Sequence, residues 1–290
     1  MHPNLTAAST ALFSTWVFVE NLGLLFDAGD GVSAALGQKG RKIRHIFVTH
    51  ADRDHVYGLL QLHQLNAANG SPHIYYPEDC GSFPALRDFM KRFDPQSGPA
   101  SWKALKAEDT VELEKGLSVI ARASTHKATQ NLTKALDFTL CSVRRVLRPE
   151  FRGQPGPEIA LRRKELGDDA VTETRTEKLL GYSGDSSELD PDHWLGVKAL
   201  IHESTFLEAD TARGSHSNLP QVIAAAAQLE LDTLILLHFS ARYTPAEIEG
   251  AIRRQADTCS PSFPIFAVYP GQVVANVLGK IPIWQPPRKP

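Results

Sequence analysis

Short runs of β-branched and aliphatic residues, each ending on or just before a histidine or an aspartate, recur along this 290-residue chain. Ile43–Thr49 leads into His50-Ala51-Asp52-Arg53-Asp54-His55, Leu117–Ala123 is followed by His126, Leu179–Ser183 by Asp185, and Thr233–His238 closes on its own histidine. Apolar runs of this length bounded by polar loops read as strands. Helical signals lie between them, over Val32–Leu36, Gly58–Asn69 (closed by Asn69-Gly70), Phe83–Phe93, Leu219–Glu230 and Pro245–Gln255. Thr15–Val19, Gly23–Phe26, His73–Tyr76 and Ala199–His202 read as further strands. This order predicts an α/β fold with helices covering the sheet faces. Strand ends are where such folds build sites, because a rigid sheet fixes the side chains that the loops display.

Composition narrows the class of function. Lys+Arg 31 against Asp+Glu 33 gives a formal charge of −2, so the surface as a whole is no electrostatic match for nucleic acid, though a local basic patch is compatible with it. No run reaches the roughly 18 apolar residues of a membrane helix. The start, Met1-His2-Pro3-Asn4-Leu5-Thr6, lacks the parts of a signal peptide. Cys80, Cys141 and Cys259 are scattered and form no CxxC pair, so they read as reduced thiols in a cytoplasmic protein. The length suits one domain over 1–290. Within it, 144–180 carries Arg144, Arg145, Arg148, Arg152, Arg162, Arg163 and Lys164, broken by Gly153-Gln154-Pro155-Gly156-Pro157. It reads as a solvated connector or a substrate-contacting segment. Pro282–Pro290 is a basic, proline-rich tail.

His50, Asp52, Asp54 and His55 place four ligand-type side chains within six residues of one loop. Such a loop can converge on cations about 3.5–4 Å apart, and mixed imidazole and carboxylate suits zinc, manganese or iron rather than calcium. The competing reading is a solvated loop in which Asp54 caps the next helix. Histidines or aspartates at several successive strand ends favour the metal.

These motifs resemble the metallo-β-lactamase fold and, within it, the ribonuclease Z group. That group carries a strand-terminal His-x-His-x-Asp-His motif, then a histidine, a bridging aspartate and a final histidine on later strands. On this resemblance His50, Asp52, Asp54, His55, His126, Asp185 and His238 are the metal ligands. The segment from Leu200 to Phe206, with His202-Glu203-Ser204-Thr205, is similar to the group's His-Glu-Ala-Thr segment. Gly214-Ser215-His216-Ser217 is similar to its Gly-His-Ser-Thr loop, and His238-Phe239-Ser240-Ala241-Arg242-Tyr243 to its last-ligand segment. The likeness spans about residues 15–270, with the motifs in family order. It implies an αββα sandwich, two β-sheets covered by helices, with the site at strand ends. It also implies two divalent transition-metal ions, zinc foremost, a phosphodiester substrate such as a tRNA precursor, and a homodimer.

Two departures bear on that expectation. Asp52 stands where the group has its second histidine, as an acidic residue does in the flavodiiron branch. A first site of His50, Asp52, His126 and Asp185 is then oxygen-rich and favours Mn or Fe beside Zn. Alternatively only the second site, of Asp54, His55, Asp185 and His238, binds well. The interval that would hold the tRNA body, about 143–181, is a compact, reduced arm.

The resemblance also implies roles. Asp54 orients and deprotonates the attacking water, and His216, held by Glu203, protonates the leaving oxygen. The competing reading of His216 is a residue at a helix start beside a Ser217 cap. Ser240, Arg242 and His202 are candidates for substrate contact; a structural ion pair competes for Arg242 and a core histidine for His202. His45, His63, His73 and His193 read as surface or packing residues, and Asp27 and Asp30 as turn formers. A small cyclic nucleotide, phosphonate or lactone is the alternative substrate class, and a non-catalytic binding protein the alternative to an enzyme.

Overall fold

The computed structural model describes residues 3–68, 70–98, 100–126, 132–209 and 216–287. Met1, His2, Asn69, Gly214, Ser215 and residues 288–290, which figure in the readings above, lie outside them. The strands form two mixed sheets. The first holds β1 (Leu5–Thr10), β2 (Ser14–Val19), β3 (Leu24–Phe26), β4 (His45–Phe47), β5 (His73–Pro77) and β6 (Ser101–Leu105), with β14 (Val273–Val274) beyond β1. The second runs from β7 (Thr110–Glu112) through β8 (Leu117–Ala123), β9 (Leu136–Leu147), β10 (Thr172–Tyr182), β11 (Val197–Glu203) and β12 (Thr233–Leu237) to β13 (Ile265–Ala267). In each sheet an antiparallel half adjoins a parallel one, the change falling at β3 and at β10.

Period-2 alternation gives each sheet two apolar faces. The inner faces meet in one core, where Phe26 stacks on Tyr182 at 5.1 Å and Phe47 meets Phe138 edge-on at 5.2 Å. The outer face of the first sheet is covered by α1 (Val32–Leu36), α3 (Leu59–Asn66) and α4 (Ser82–Phe93) through Leu36, Leu62 and Phe83. That of the second is covered by α7 (Leu219–Ala226) and α8 (Pro245–Cys259) through Val222, Ile223, Ile248 and Ile252. The result is the expected αββα sandwich. Among the described residues no helix is long and apolar enough to cross a membrane. Cys80, Cys141 and Cys259 are free thiols.

The basic segment is not a simple connector. β9 and β10 pair antiparallel from Phe138↔Tyr182 out to Leu147↔Thr172 and carry α5 (Gly156–Leu166) and α6 (Asp168–Val171) at their far end. The polar composition that suggested a loop belongs to the exposed outer half of this hairpin. Three of the seven cations named above pair at home: Arg145 with Asp168 and Asp169, Arg163 with Asp168, and Arg144 with Glu177. Strands β6 and β7 carried no clear sequence signal, because each is short, with small, polar or charged residues on its exposed positions, and β1, though paired on both sides, is a short run of small and hydroxyl residues after Leu5.

Asp137, on β9, is buried with its Oδ2 2.8 Å from His193 Nε2. Burial raises its pKa from 3.8 to about 6, against the opposing pull of His193. The folded state therefore holds this proton more tightly than the unfolded chain does. That stabilisation is complete below pH 3.8 and is lost as the pH rises through about 6. Asp137→Asn is expected to gain on the wild type by roughly 3 kcal/mol between about pH 4 and pH 7 in urea unfolding. A gap independent of pH would sink this prediction.

Candidate metal centre

The strand ends of both sheets converge on one acidic and histidine-rich site. The loop after β4 brings His50 and Asp52, and α2 (Arg53–Val56) turns Asp54 and His55 inward. Asp54 therefore sits inside the short helix and caps nothing. His126 follows β8, Asp185 follows β10, Glu203 ends β11 and His238 follows β12. All but Asp52, whose side chain is 42% exposed, are buried. Gly184, at φ +57°, lets the Asp185 loop cross Thr49 closely: a Cβ there would lie 2.6 Å from Thr49 Cγ2. Only glycine tolerates both that approach and that backbone.

Asp185 lies between two groups of ligands. Its Oδ1 is 3.2 Å from His238 Nε2 and 3.3 Å from His55 Nε2, while Oδ2 is 3.5 Å from His50 Nε2. On one side Asp54, His55 and His238 offer ligand atoms within 4.8 Å of one another; on the other His50, Asp52 and His126 do the same. Asp52 Oδ2 is 3.5 Å from His50 Nε2 and 3.8 Å from His126 Nε2. Asp54 Oδ2 is 3.4 Å from His238 Nε2.

Hydrogen bonds behind the ligands set which way the imidazoles face. Asp27, at φ +54° after β3, is fully buried. It accepts from Thr49 N at 2.7 Å, Thr49 Oγ1 at 3.0 Å, Tyr182 OH at 2.6 Å and His55 Nδ1 at 2.8 Å. Thr49 spends its one hydroxyl proton on that carboxylate, so its oxygen accepts from His50 Nδ1 at 2.9 Å. On the other side Thr205 Oγ1 donates to Glu203 Oε2 at 2.7 Å and accepts from His238 Nδ1 at 2.9 Å. In His50, His55 and His238 alike, Nδ1 carries the proton and Nε2 faces the carboxylates.

That arrangement requires a cation. Nε2 of His50, Nε2 of His55 and Oδ1 of Asp185 are buried and make no hydrogen bond. A lone pair turned toward a buried carboxylate is repulsive unless a proton or a metal ion lies between. Burial works against a charge on His55, yet Asp185 and Asp27 outweigh it and raise its pKa well above the usual value. Burial likewise opposes ionisation of Asp185, and His238 and His55 overcome it. The donor set fits divalent transition-metal ions.

Residues 10–145 match the family model of the metallo-beta-lactamase superfamily. Ribonuclease Z of Nitrosopumilus maritimus is 30% identical over 76% of this chain and 80% of its own length. The chain belongs to the ribonuclease Z-like branch of the metallo-beta-lactamase superfamily. The chloroplastic tRNase Z TRZ2 of Arabidopsis thaliana is 26% identical, covering 82% of this chain and 68% of that protein. The crystal structure of human tRNase Z, short form, covers 94% of this chain and 99% of its own with a TM-score of 0.60 at 18% identity. YhfI of Bacillus subtilis, described as a metallo-beta-lactamase fold protein, gives 0.63 at 15% identity, with the same coverage of both chains. As a member of this superfamily the protein is a metal-dependent hydrolase.

In this metallo-beta-lactamase-fold hydrolase Glu203 is a hub beside the ligands. Its buried carboxylate accepts from the backbone N–H groups of Ser186, Thr205 and Ser217 at 3.1, 2.9 and 3.2 Å. It also faces His216 Nδ1 at 3.1 Å. His216 is 21% exposed, so it is reachable from solvent. Burial lowers its pKa, and the Glu203 carboxylate overrides that and raises it. Ser217 caps no helix: its Oγ donates to Glu203 O, and Asn218 caps α7.

The three expected substrate contacts part company. Arg242 is exposed, with its guanidinium 4.7 Å from the Tyr243 ring centre and 5.4 Å from that of Phe206, so stacking rather than an ion pair holds it. Ser240 is half-buried in the same turn, its backbone bonded to Thr205 and Tyr243. His202 is fully buried with Nδ1 2.7 Å from Glu203 O, the packing of a core histidine, and burial keeps it from substrate. Sequence reasoning missed Asp27 as an organiser; its only signal was the position at a strand end.

The carboxylate at position 52 gives a direct test. Asp52→His is expected to keep or raise zinc bound per chain, and Asp52→Ala to lower it, in elemental analysis. Metal content indifferent to Asp52→Ala would remove Asp52 from the ligand set.

Proposed function

We propose that this hydrolase cleaves phosphodiester bonds in RNA, with two divalent ions, zinc foremost, held by His50, Asp52, His126 and Asp185 and by Asp54, His55, Asp185 and His238. The observation that carries this reading is the placement of the Glu203–His216 pair beside the shared Asp185 carboxylate, with His216 Nδ1 3.8 Å from Asp185 Oδ2. Bound metal ions supply Lewis-acid charge that polarises a phosphoryl oxygen and brings the pKa of a water toward neutrality. Asp54 accepts the proton of the attacking water; His238 and His55 hold its pKa below the usual range against the effect of burial. His216, oriented and kept protonated by Glu203, gives its proton to the leaving ribose oxygen. Arg242, steadied on Phe206 and Tyr243, pairs with a phosphate through its planar fork. The relatives named ribonuclease Z and tRNase Z support RNA, and a tRNA precursor in particular, as substrate.

The test is metal analysis of protein purified without chelator, followed by cleavage of a tRNA precursor. About two ions per chain with endonucleolytic cleavage is the expected result. Two ions per chain, no cleavage of RNA and turnover of a lactone or cyclic nucleotide would transfer the site to a small substrate. His216→Ala is expected to lower kcat on RNA by roughly 10²–10⁴-fold with metal content unchanged. It should cost far less on bis(p-nitrophenyl) phosphate, whose leaving group needs no proton. An equal loss on both substrates would refute the acid role.

A further inference from the structure

One aromatic ring at the edge of the metal centre adjoins both of the side chains that the proposed reaction uses to meet the leaving oxygen and the phosphate. Phe206, just after β11, meets the His216 imidazole nearly at right angles, with ring centres 6.5 Å apart and planes at 79°. Its other neighbour is the Arg242 guanidinium, 5.4 Å from the ring centre. Edge-to-face rings and a cation beside a π system both attract at these separations. The acid and the phosphate contact therefore share one ring.

The backbone fixes where that ring sits. Phe206 N donates to Ser217 O at 3.3 Å and Phe206 O accepts from Leu219 N at 2.8 Å, so this residue is bonded to the stretch that follows His216. Its two chain neighbours are bonded to the Arg242 turn. Thr205 O accepts from Ser240 N at 3.1 Å, and Leu207 N donates to the Tyr243 hydroxyl at 3.4 Å. The Glu203 carboxylate holds His216 through Nδ1 at 3.1 Å, which fixes one atom of the imidazole and leaves its plane to the neighbouring rings. His238 stacks against it at 5.4 Å and 22°, and Phe206 stands across it.

We infer that Phe206 is a positioning residue that couples phosphate capture by Arg242 to the orientation of the His216 acid. This rests on the phosphodiester reading above. With Nδ1 on Glu203, the proton that His216 gives away is on Nε2. A guanidinium that pairs with a phosphate while seated on Phe206 holds the ring, and the ring holds the imidazole plane that aims Nε2 at the leaving oxygen. Leucine at this position keeps the backbone bonds and much of the volume, but it has no π face for the cation and no flat ring for the imidazole to meet.

The test uses the metal-loaded enzyme with a tRNA precursor and with bis(p-nitrophenyl) phosphate, whose leaving group needs no proton. Phe206→Leu is expected to lower kcat on RNA roughly 3- to 10-fold and to raise KM for RNA by a similar factor, with metal per chain unchanged. On bis(p-nitrophenyl) phosphate kcat should fall far less. Phe206→Met should show the same split if the leucine variant folds poorly, and Phe206→Tyr should restore the wild-type values on RNA. In a His216→Ala background Phe206→Leu should cost no further kcat on RNA, and in an Arg242→Ala background it should bring no further rise in KM. Cleavage of RNA by the wild type with kcat unmoved by Phe206→Leu, or lowered equally on both substrates, would overturn the coupling and leave the phosphodiester reading standing. So would a full additional loss in the His216→Ala background. Failure of the wild type to cleave RNA would remove the phosphodiester reading and the coupling together.

Discussion

Asp185→Asn is expected to empty both metal positions in part and to lower turnover on the order of 10³-fold or more. The reasoning is geometric. Oδ1 faces His55 and His238 while Oδ2 faces His50, so a single carboxylate serves both groups of ligands. An amide of the same size offers one oxygen and no charge, leaving one group facing an NH₂ that cannot ligate. No other described ligand has this position, so losing Asp54 or Asp52 should weaken one site where losing Asp185 weakens both. Elemental analysis and single-turnover cleavage, run on the same preparation, check it. Two ions per chain with unchanged turnover in the variant would show that Asp185 does not bridge.

The second large effect falls on stability. Asp27→Ala removes one fully buried carboxylate and orphans Thr49 N, Thr49 Oγ1, Tyr182 OH and His55 Nδ1 together. Breaking a buried charged network by deleting one partner typically costs about 3–5 kcal/mol, because the remaining polar groups stay buried without partners. Asp27 also sets the proton on His55 directly and that on His50 through Thr49. Metal affinity should therefore fall roughly 10- to 100-fold as well. Urea unfolding of the metal-free protein separates the first effect from the second, and metal titration measures the second. A variant as stable as the wild type when metal-free would show that the network is dispensable to the fold. Asp27→Asn should behave in between, since its amide oxygen accepts from part of the set but its NH₂ opposes the Tyr182 and His55 donors.

The convergence of histidines and aspartates was legible in the sequence because transition-metal chemistry needs specific residue types and an α/β fold offers few strand ends for them. Histidine and aspartate at the ends of apolar strand runs survive any error of two or three residues in the strand bounds. Thr233–His238 and the observed Thr233–Leu237 place His238 at the same end of the sheet. The tail of β9 and the head of β10 were illegible for the converse reason. An antiparallel hairpin projecting beyond the sandwich has solvent on both faces, so Arg144, Arg145, Glu173 and Arg175 carry no alternation to read.

Local pattern along the chain determined the α/β class and the placing of His50, Asp54, His55, His126, Asp185 and His238 at strand ends, because propensity and residue chemistry act one segment at a time. The αββα sandwich and the pairing of Glu203 with His216 came from the resemblance to the ribonuclease Z group. Tertiary structure alone decided three further things. It made Asp27 the group that orients His55 directly and His50 through Thr49, sent His202 into the core, and set the Leu12 backbone beside Asp54. The Asp27 network depends on segments far apart in the chain meeting, as Asp27 meets His55 within the first sheet and Tyr182 across the two sheets. No single stretch of sequence contains that geometry, because it arises only when both inner faces close on a shared core.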